Sequence, residues 1–123
     1  MKASELINIG SNKLKTNSIK SFILDSEILL SKVLNKKREE VLVDLNHKIE
    51  NNKILEFLKY IDRRASKEPI AYIIQQKEFW SKNFEVNNKT LIPRPETELM
   101  LEKLIYIYKK KSINILDIGT GSG

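Results

Sequence analysis

The first half of the chain carries apolar residues at spacings of three and four, the repeat of an amphipathic helix. The pattern is clearest in "SIKSFILDSEILLSKVL", where it predicts a helix whose apolar positions are Ile19, Phe22, Ile23, Ser26, Leu29, Leu30, Val33 and Leu34. Such stripes are typical of a packed core and carry no information about chemistry.

Polar residues divide this region into four predicted helices. Ser4 is the expected cap of the first, and Asn17 or Ser18 the cap of the second. A short helix follows in "REEVLVDL", and "NKILEFLKYIDRRA" predicts a fourth whose apolar face comprises Ile54, Leu55, Leu58 and Ile61. Short helices joined by short loops favour a small antiparallel bundle. We assign it to residues 1–67.

The helical repeat stops at Glu68 and Pro69, where residues 68–95 read as a linker. "PIAYII" predicts an apolar turn or short helix, and the alternation in "EFWSKNFEVNNKTLI" predicts a β-hairpin with its turn near Ser81–Asn83. Phe79 and the only tryptophan, Trp80, lie together in this hairpin. Such clustering fits a packed hinge or a wall for a flat ligand, and the sequence leaves both readings open.

The stretch "LIPRPETEL" places Arg94 between two prolines. Each proline fixes its own φ and disfavours a helical conformation for the residue before it, so we expect a rigid extended strap. Pro95 suits the first position of a helix, and Glu98 suits the positive end of the helix dipole. A helix is therefore predicted from Pro95 through "ETELMLEKLIYIYKKK", with Leu101, Leu104, Ile105 and Tyr108 at helical spacing.

The chain closes on "INILDIGTGSG", in which Ile113, Ile115, Leu116 and Ile118 predict a buried parallel strand. A glycine-rich turn, Gly119–Gly123, follows Asp117. Glycine permits positive φ and close approach of a ligand to the backbone, and cofactors bind at this end of the first strand in open α/β folds. A lone turn of this kind is also compatible with dinucleotide binding. One strand cannot make a parallel sheet, so we interpret residues 96–123 as the start of a truncated α/β domain.

Composition narrows the choice of function. With 41% apolar and 31% charged residues the chain is typical of a globular protein, and no apolar run is long enough for a membrane span or a signal peptide. We therefore expect a cytoplasmic protein that does not contact a membrane. The absence of cysteine excludes thiolate chemistry, and the single histidine, His47, cannot build a metal site, so no metal is expected.

The formal net charge of +6 raises the question of whether the chain binds nucleic acid. Lysine is scattered among asparagine and isoleucine along the whole chain, and runs such as "YKKKS" suit the C-terminal end of a helix. We interpret the charge as a compositional bias, and direct nucleic-acid binding by these residues is not expected.

The order of "EPIAYI", "EFW", "TLIPRPETE", a helix and "ILDIGTGSG" resembles the HemK/PrmC family, the glutamine methyltransferases of class I peptide chain release factors. The resemblance is specific from Glu68 to Gly123 and weak before it, where "LDSEILLSKVL" fits the second helix of the family. It implies a mostly α fold: an N-terminal helical bundle, a β-hairpin linker, and the first helix and strand of a Rossmann-like methyltransferase domain.

The resemblance also implies S-adenosyl-L-methionine as cofactor. Its site would include Asp117 and the turn Gly119, Thr120, Gly121, Ser122 and Gly123, with Ser122 where the family commonly has threonine. The acidic residue for the cofactor ribose and the Asn-Pro-Pro-Tyr motif that grips the target glutamine would both follow Gly123. No catalytic residue is therefore expected in these 123 residues.

The roles of the remaining candidates stay open. Arg94, Pro95 and Glu98, with Phe79 and Trp80, would either border the cofactor pocket or support it, Arg94 and Glu98 pairing with each other or with the fold. Residues 1–67 would recognise the release factor or act as a folding cap. Two other functions compete: a methyltransferase acting on nucleic acid, and a non-catalytic binding module formed by these residues alone.

Overall fold

A computed structural model describes all 123 residues, which divide into two compact units, Met1–Ile74 and Gln75–Gly123. The first unit contains only helices: α1 (Ala3–Thr16), α2 (Phe22–Leu34), α3 (Arg38–Val43), α4 (Asn51–Ala65) and α5 (Ile70–Ile74). The second contains strands β1 (Gln76–Phe79) and β2 (Lys82–Glu85) and helix α6 (Pro95–Tyr108). The chain is thus mostly α, with a helical region followed by a hairpin and a further helix, as predicted.

The core of the first unit lies where α1, α2 and α4 pack against one another. Its apolar side chains with no exposed surface are Leu6, Leu14, Leu29, Leu30, Phe57 and Ile61. Burying one such side chain contributes about 1.5–3 kcal/mol, so this shared interface is the main source of stability in the unit. Gly10 lies at the same place, because a Cβ there would be 2.7 Å from Phe57 Cζ.

Two predicted helix starts are wrong by a few residues. Helix α1 begins before Ser4, and the carboxylate of Glu5 accepts the backbone N–H of Lys2 at 2.7 Å. Helix α2 begins at Phe22, because Ser18 has a φ of 60° and interrupts the helical backbone. Ile19 is buried as its spacing indicated, although it precedes the helix.

The apolar face of α4 differs in one position from the predicted face. Ile61 is buried as expected, but Leu55 is 62% exposed and Phe57 is fully buried instead. In the sequence, Phe57 and Leu55 flank Glu56, and helical spacing does not decide which of the two belongs to the apolar stripe. Phe57 is the buried residue because its ring packs against Gly10, which has no side chain to exclude it.

Helix α5 extends the first unit past the predicted helical segment, which ended at residue 67. It follows Pro69, packs on α2 and α4, and buries Ala71 and Ile73. The compact unit accordingly continues to Ile74.

Two ion pairs involve neighbouring arginines at the end of α4. Arg64 Nε donates to Asp25 Oδ2 at 2.7 Å, and the Asp25 side chain is only 7% exposed. Arg63 donates to both carboxylate oxygens of Glu68, at 2.8 and 2.6 Å. The hydrogen bonds from Arg63 lower the pKa of Glu68.

The second unit opens with the predicted hairpin, but its turn was predicted too late in the chain, near Ser81–Asn83, because Asn83 lies within β2 and pairs with Glu78. Strands β1 and β2 pair antiparallel, with Gln76 opposite Glu85 and Phe79 opposite Lys82. This register leaves a two-residue turn of Trp80 and Ser81, whose φ values are 52° and 55°. Positive φ at both positions is the signature of a type I′ turn, which matches the twist of a hairpin. Phe79 meets Phe84 edge-to-face at 6.0 Å between ring centroids.

Helix α6 begins at Pro95, as predicted, after an extended Arg94 with ψ of 142°. None of its residues is buried. The apolar residues that the sequence placed at helical spacing in α6 are therefore exposed or half-exposed, Leu104 and Ile105 among them.

The expected buried strand over residues 113–118 is absent, and this prediction is wrong for the present structure. Ile115, Leu116 and Ile118 are each at least 80% exposed, and the only sheet is the hairpin. A parallel strand is held by hydrogen bonds to a neighbouring strand, and no strand of the chain lies beside this segment. None of the helices has the length and apolar character needed to cross a membrane.

Candidate functional site

The candidate site is an open groove of about 1200 Å³ formed wholly within the second unit. Its lining residues come from one face of α6, which carries Leu101, Leu104 and Tyr108, and from most of the chain between Ile113 and Gly123. The proline strap contributes Leu91, Ile92, Pro93 and Arg94. The groove is lined mainly by apolar side chains with a few polar groups, the usual character of a small-molecule site.

Most of the predicted site residues line this groove. Those that do are Phe79, Arg94, Asp117, Gly119, Thr120, Gly121, Ser122 and Gly123. Trp80, Pro95 and Glu98 are not among its lining residues. The structure therefore brings the glycine turn together with one residue of the hairpin and one of the strap.

The glycine turn has the backbone conformation that its sequence suggested. Gly119, Gly121 and Gly123 have φ values of 75°, 67° and 117°. These values lie in the left-handed region, where residues with a side chain are strained. A Cβ on Gly119 would meet no atom within 4 Å, so the space beside its backbone is open.

The residues of the groove suit S-adenosyl-L-methionine. Open space beside the backbone of Gly119 lets a ligand approach the turn closely, and Asp117 supplies a carboxylate suited to a cationic or hydroxyl-bearing group. Apolar walls suit a flat adenine ring. No group of histidine and acidic residues lies close enough to hold a metal ion.

Arg94 lines the groove without an ion pair. It follows Pro93, is the residue just before α6, and its side chain is exposed. The suggested pairing of Arg94 with Glu98 is absent from the structure. The guanidinium of Arg94 is consequently available to a ligand.

Glu98 contacts the hairpin instead. Its Oε1 accepts the backbone N–H of Trp80 at 2.7 Å, across 18 residues of sequence. Of the two structural partners suggested for Glu98, the fold is thus the one observed. The Glu98 carboxylate is therefore favourable for the helix dipole at the first turn of α6 and also connects that turn to the hairpin tip by a hydrogen bond.

Other lining residues were not singled out as site candidates by the sequence. They include Leu91, Ile92, Thr97, Met100 and Lys109. The helical spacing of Leu101, Leu104, Ile105 and Tyr108 identified one apolar face of α6, but it did not indicate that this face borders a groove. Periodicity alone does not distinguish a face that packs from one that borders a groove.

Comparison with known proteins connects this arrangement to a family. The family model of the PrmC N-terminal domain matches residues 5–74. This chain belongs to the PrmC family. The match coincides almost completely with the first unit, Met1–Ile74, so the helical region that resembled the family only weakly in sequence is the part that the family model recognises.

Curated relatives match most or all of the chain. A release factor glutamine methyltransferase of Buchnera aphidicola subsp. Baizongia pistaciae is 44% identical over 124 residues, which cover 100% of this chain and 44% of the relative. One of Coxiella burnetii is 43% identical over 101 residues, 81% of this chain and 36% of the relative. A bifunctional methyltransferase of Rickettsia prowazekii is 36% identical over 138 residues, 97% of this chain and 27% of the relative. The chain therefore spans less than half the length of these relatives.

Proposed function

We propose that the full-length protein carrying this chain is an S-adenosyl-L-methionine-dependent methyltransferase that modifies the glutamine side chain of class I peptide chain release factors. Membership of the PrmC family and the names of the relatives support this proposal. The observation that carries it is the groove in which Asp117, the glycine turn Gly119–Gly123 and Arg94 meet.

The glycine turn is the proposed cofactor contact. Backbone N–H groups of the turn before Gly123 would hold the carboxylate of the methionine moiety, in the way that exposed amides bind anions. Asp117 would accept hydrogen bonds from cationic or hydroxyl groups of the cofactor. When bound, the cofactor supplies an electrophilic methyl group on a sulfonium sulfur.

The chemistry requires orientation more than a protein nucleophile. The lone pair of an amide nitrogen is delocalised, so glutamine is a poor nucleophile and must be held in line with the methyl group. Orientation of this kind can lower a barrier by about 7–11 kcal/mol. Rigid elements serve this purpose well, and the strap with Pro93 and Pro95 is such an element.

The helical region is proposed to recognise the release factor. Its core is complete within Met1–Ile74, as a separate recognition domain requires. Deleting the helical region should abolish methylation of intact release factor while a short glutamine peptide retains slow methylation. Unchanged methylation of intact release factor would support the alternative role of a folding cap.

The 123 residues alone are expected to be inactive. Ile115, Leu116 and Ile118 lack the neighbouring strands that would fix the glycine turn in a parallel sheet. In isolation this chain would act as a binding module, and the complete protein would be a cytoplasmic enzyme of translation termination.

The deciding experiment measures transfer of labelled methyl from S-adenosyl-L-methionine by the full-length protein to purified class I release factor. The control is the same release factor with alanine in place of its target glutamine. Label on the first and not on the second would support the proposal. Label only on transfer RNA or DNA would contradict it and favour a methyltransferase acting on nucleic acid.

A further inference from the structure

The hairpin turn has a sequence that does not suit its conformation. A type I′ turn strongly prefers Asn-Gly or a similar pair, because both central residues have positive φ. Here the pair is Trp80 and Ser81, with φ values of 52° and 55°. A bulky aromatic residue in this region is an outlier, and such strain persists only where neighbouring structure fixes it.

Glu98 supplies the contact that fixes the turn. Its Oε1 accepts the backbone N–H of Trp80 at 2.7 Å, and the side chain is half-buried. A hydrogen bond from N–H to a carboxylate is among the stronger hydrogen bonds in proteins. Glu96, two residues earlier in the same helical turn, is exposed and therefore provides a matched comparison.

The turn is adjacent to a wall of the groove. Phe79 precedes Trp80 directly, lines the groove, and packs edge-to-face on Phe84 of β2. A displacement of the hairpin tip would therefore move the Phe79 ring relative to Arg94 and the glycine turn. Glu98 can influence the groove in this way although it does not line it.

We propose that Glu98 is a positioning residue for cofactor binding. Its carboxylate holds the strained Trp80-Ser81 turn against α6 and thereby fixes the position of the Phe79 ring in the groove. The inference rests on the proposed function, because it takes the ligand of the groove to be S-adenosyl-L-methionine. It assigns no direct ligand contact to Glu98.

Calorimetric titration of the full-length protein with S-adenosyl-L-methionine provides the first test. Glu98→Ala should raise the dissociation constant several-fold, up to about tenfold, because the hydrogen bond to Trp80 no longer favours the turn conformation that presents Phe79 to the ligand. The number of sites per molecule should stay unchanged. A merely structural role would instead lower that number, through a misfolded fraction, and leave the dissociation constant unaltered.

A second variant tests the route through the turn. Ser81→Gly relieves the strain at one central position and retains Trp80, so it should restore much of the affinity lost in Glu98→Ala. Phe79→Ala should weaken binding similarly, and its combination with Glu98→Ala should add little. Full additivity of these two changes would overturn the inference.

The 123-residue chain provides an independent readout, because Trp80 is its only tryptophan. Glu98→Ala should increase quenching of Trp80 fluorescence by acrylamide, whereas Glu96→Ala should leave it unchanged. Equal quenching in both variants, or equal cofactor dissociation constants, would overturn the role of Glu98. A wild-type protein that bound no S-adenosyl-L-methionine would instead overturn the proposed function, and the quenching result would still decide whether Glu98 locks the turn.

Discussion

Asp25 of α2 and Arg64 of α4 form an ion pair at 2.7 Å that joins two helices across 39 residues of sequence. Their side chains are 7% and 18% exposed, so neither charge is well hydrated. Arg64 also donates through Nη1 to the backbone carbonyl of Glu68 at 3.0 Å. One guanidinium thus links α2, α4 and the segment that leads to α5.

Removing Asp25 should destabilise the helical unit strongly. Asp25→Ala leaves the guanidinium of Arg64 without its partner in a poorly hydrated place, and breaking such a pair costs about 3–5 kcal/mol. Urea denaturation followed by circular dichroism measures this loss. The control is Lys53→Ala, which breaks an exposed pair with Glu56 and should cost less than about 1 kcal/mol. Equal losses in the two variants would contradict the structural role of Asp25.

Gly10→Ala should also destabilise this unit, although alanine favours helices. An added Cβ would lie 2.5 Å from Ser26 Oγ, 2.7 Å from Phe57 Cζ and 2.8 Å from Ile61 Cδ1. Overpacking costs about 1–3 kcal/mol, which exceeds the gain of up to about 1 kcal/mol in helix propensity.

The matched control for Gly10 is Asn12→Ala in the same helix, where the side chain is exposed. It should leave stability unchanged or raise it slightly, since alanine is the better helix former. Gly10→Ala should therefore lower the urea midpoint, whereas Asn12→Ala should leave it unchanged or raise it. A midpoint raised by Gly10→Ala would show that the three helices do not meet as closely as the structure indicates.

The pair of Arg63 and Glu68 predicts a specific pH dependence. The hydrogen bonds from Arg63 lower the pKa of Glu68 in the folded protein, so the pair stabilises the fold above the pKa of an unfolded glutamate, about 4.3. This contribution is lost as the pH falls through the lower pKa of the folded state. Because both side chains are partly exposed, we expect only about 0.2–1 kcal/mol.

A double-mutant cycle of Glu68→Gln and Arg63→Met measures this contribution. At pH 7 the double variant should be little less stable than either single variant, because the pair is already broken in each. Below the folded pKa of Glu68 the coupling should vanish. A coupling that did not diminish as the pH was lowered would contradict the assignment of the effect to the Glu68 carboxylate.

The sequence predicted the positions of the helices and strands of the hairpin better than it predicted which residues are buried. Helical spacing identified α2 and α4, and Pro95 marked the start of α6, because these signals are local. The prediction that Ile115 and Leu116 are buried was wrong, because a parallel strand depends on partner strands that are distant in sequence. The contact between Glu98 and Trp80 was also beyond sequence reasoning, because it joins two elements that each have a satisfactory local explanation.

Arg94→Ala should weaken cofactor or substrate binding in the full-length protein without lowering its stability. The side chain lines the groove, is exposed and has no ion pair, so its removal costs little in folding. We expect about a tenfold loss of kcat/KM for methyl transfer, the effect of losing one charge-assisted hydrogen bond. Arg94→Lys retains the positive charge and should therefore show a smaller loss of kcat/KM than Arg94→Ala. An unchanged dissociation constant and turnover in Arg94→Ala would exclude a ligand contact.

The glycine turn gives the last prediction. Gly119→Ala forces alanine into a φ of 75°, and the left-handed conformation costs about 1–2 kcal/mol for a residue with a side chain. A Cβ at this position meets no protein atom within 4 Å, so the change should not disturb packing. It should shift the backbone of the turn and occupy the space offered to a ligand.

Gly119→Ala should therefore raise the dissociation constant for S-adenosyl-L-methionine about tenfold or more, while the melting temperature falls by no more than the few degrees that this backbone strain accounts for. Ser122→Thr is the matched control in the same turn, because it keeps the hydroxyl and should alter affinity less than about twofold. Calorimetric titration and thermal denaturation of the full-length protein measure both quantities. If Gly119→Ala lowered the melting temperature and left the affinity for S-adenosyl-L-methionine unchanged, Gly119 would be needed for folding of the turn. The proposed contact between this turn and the cofactor would then be wrong.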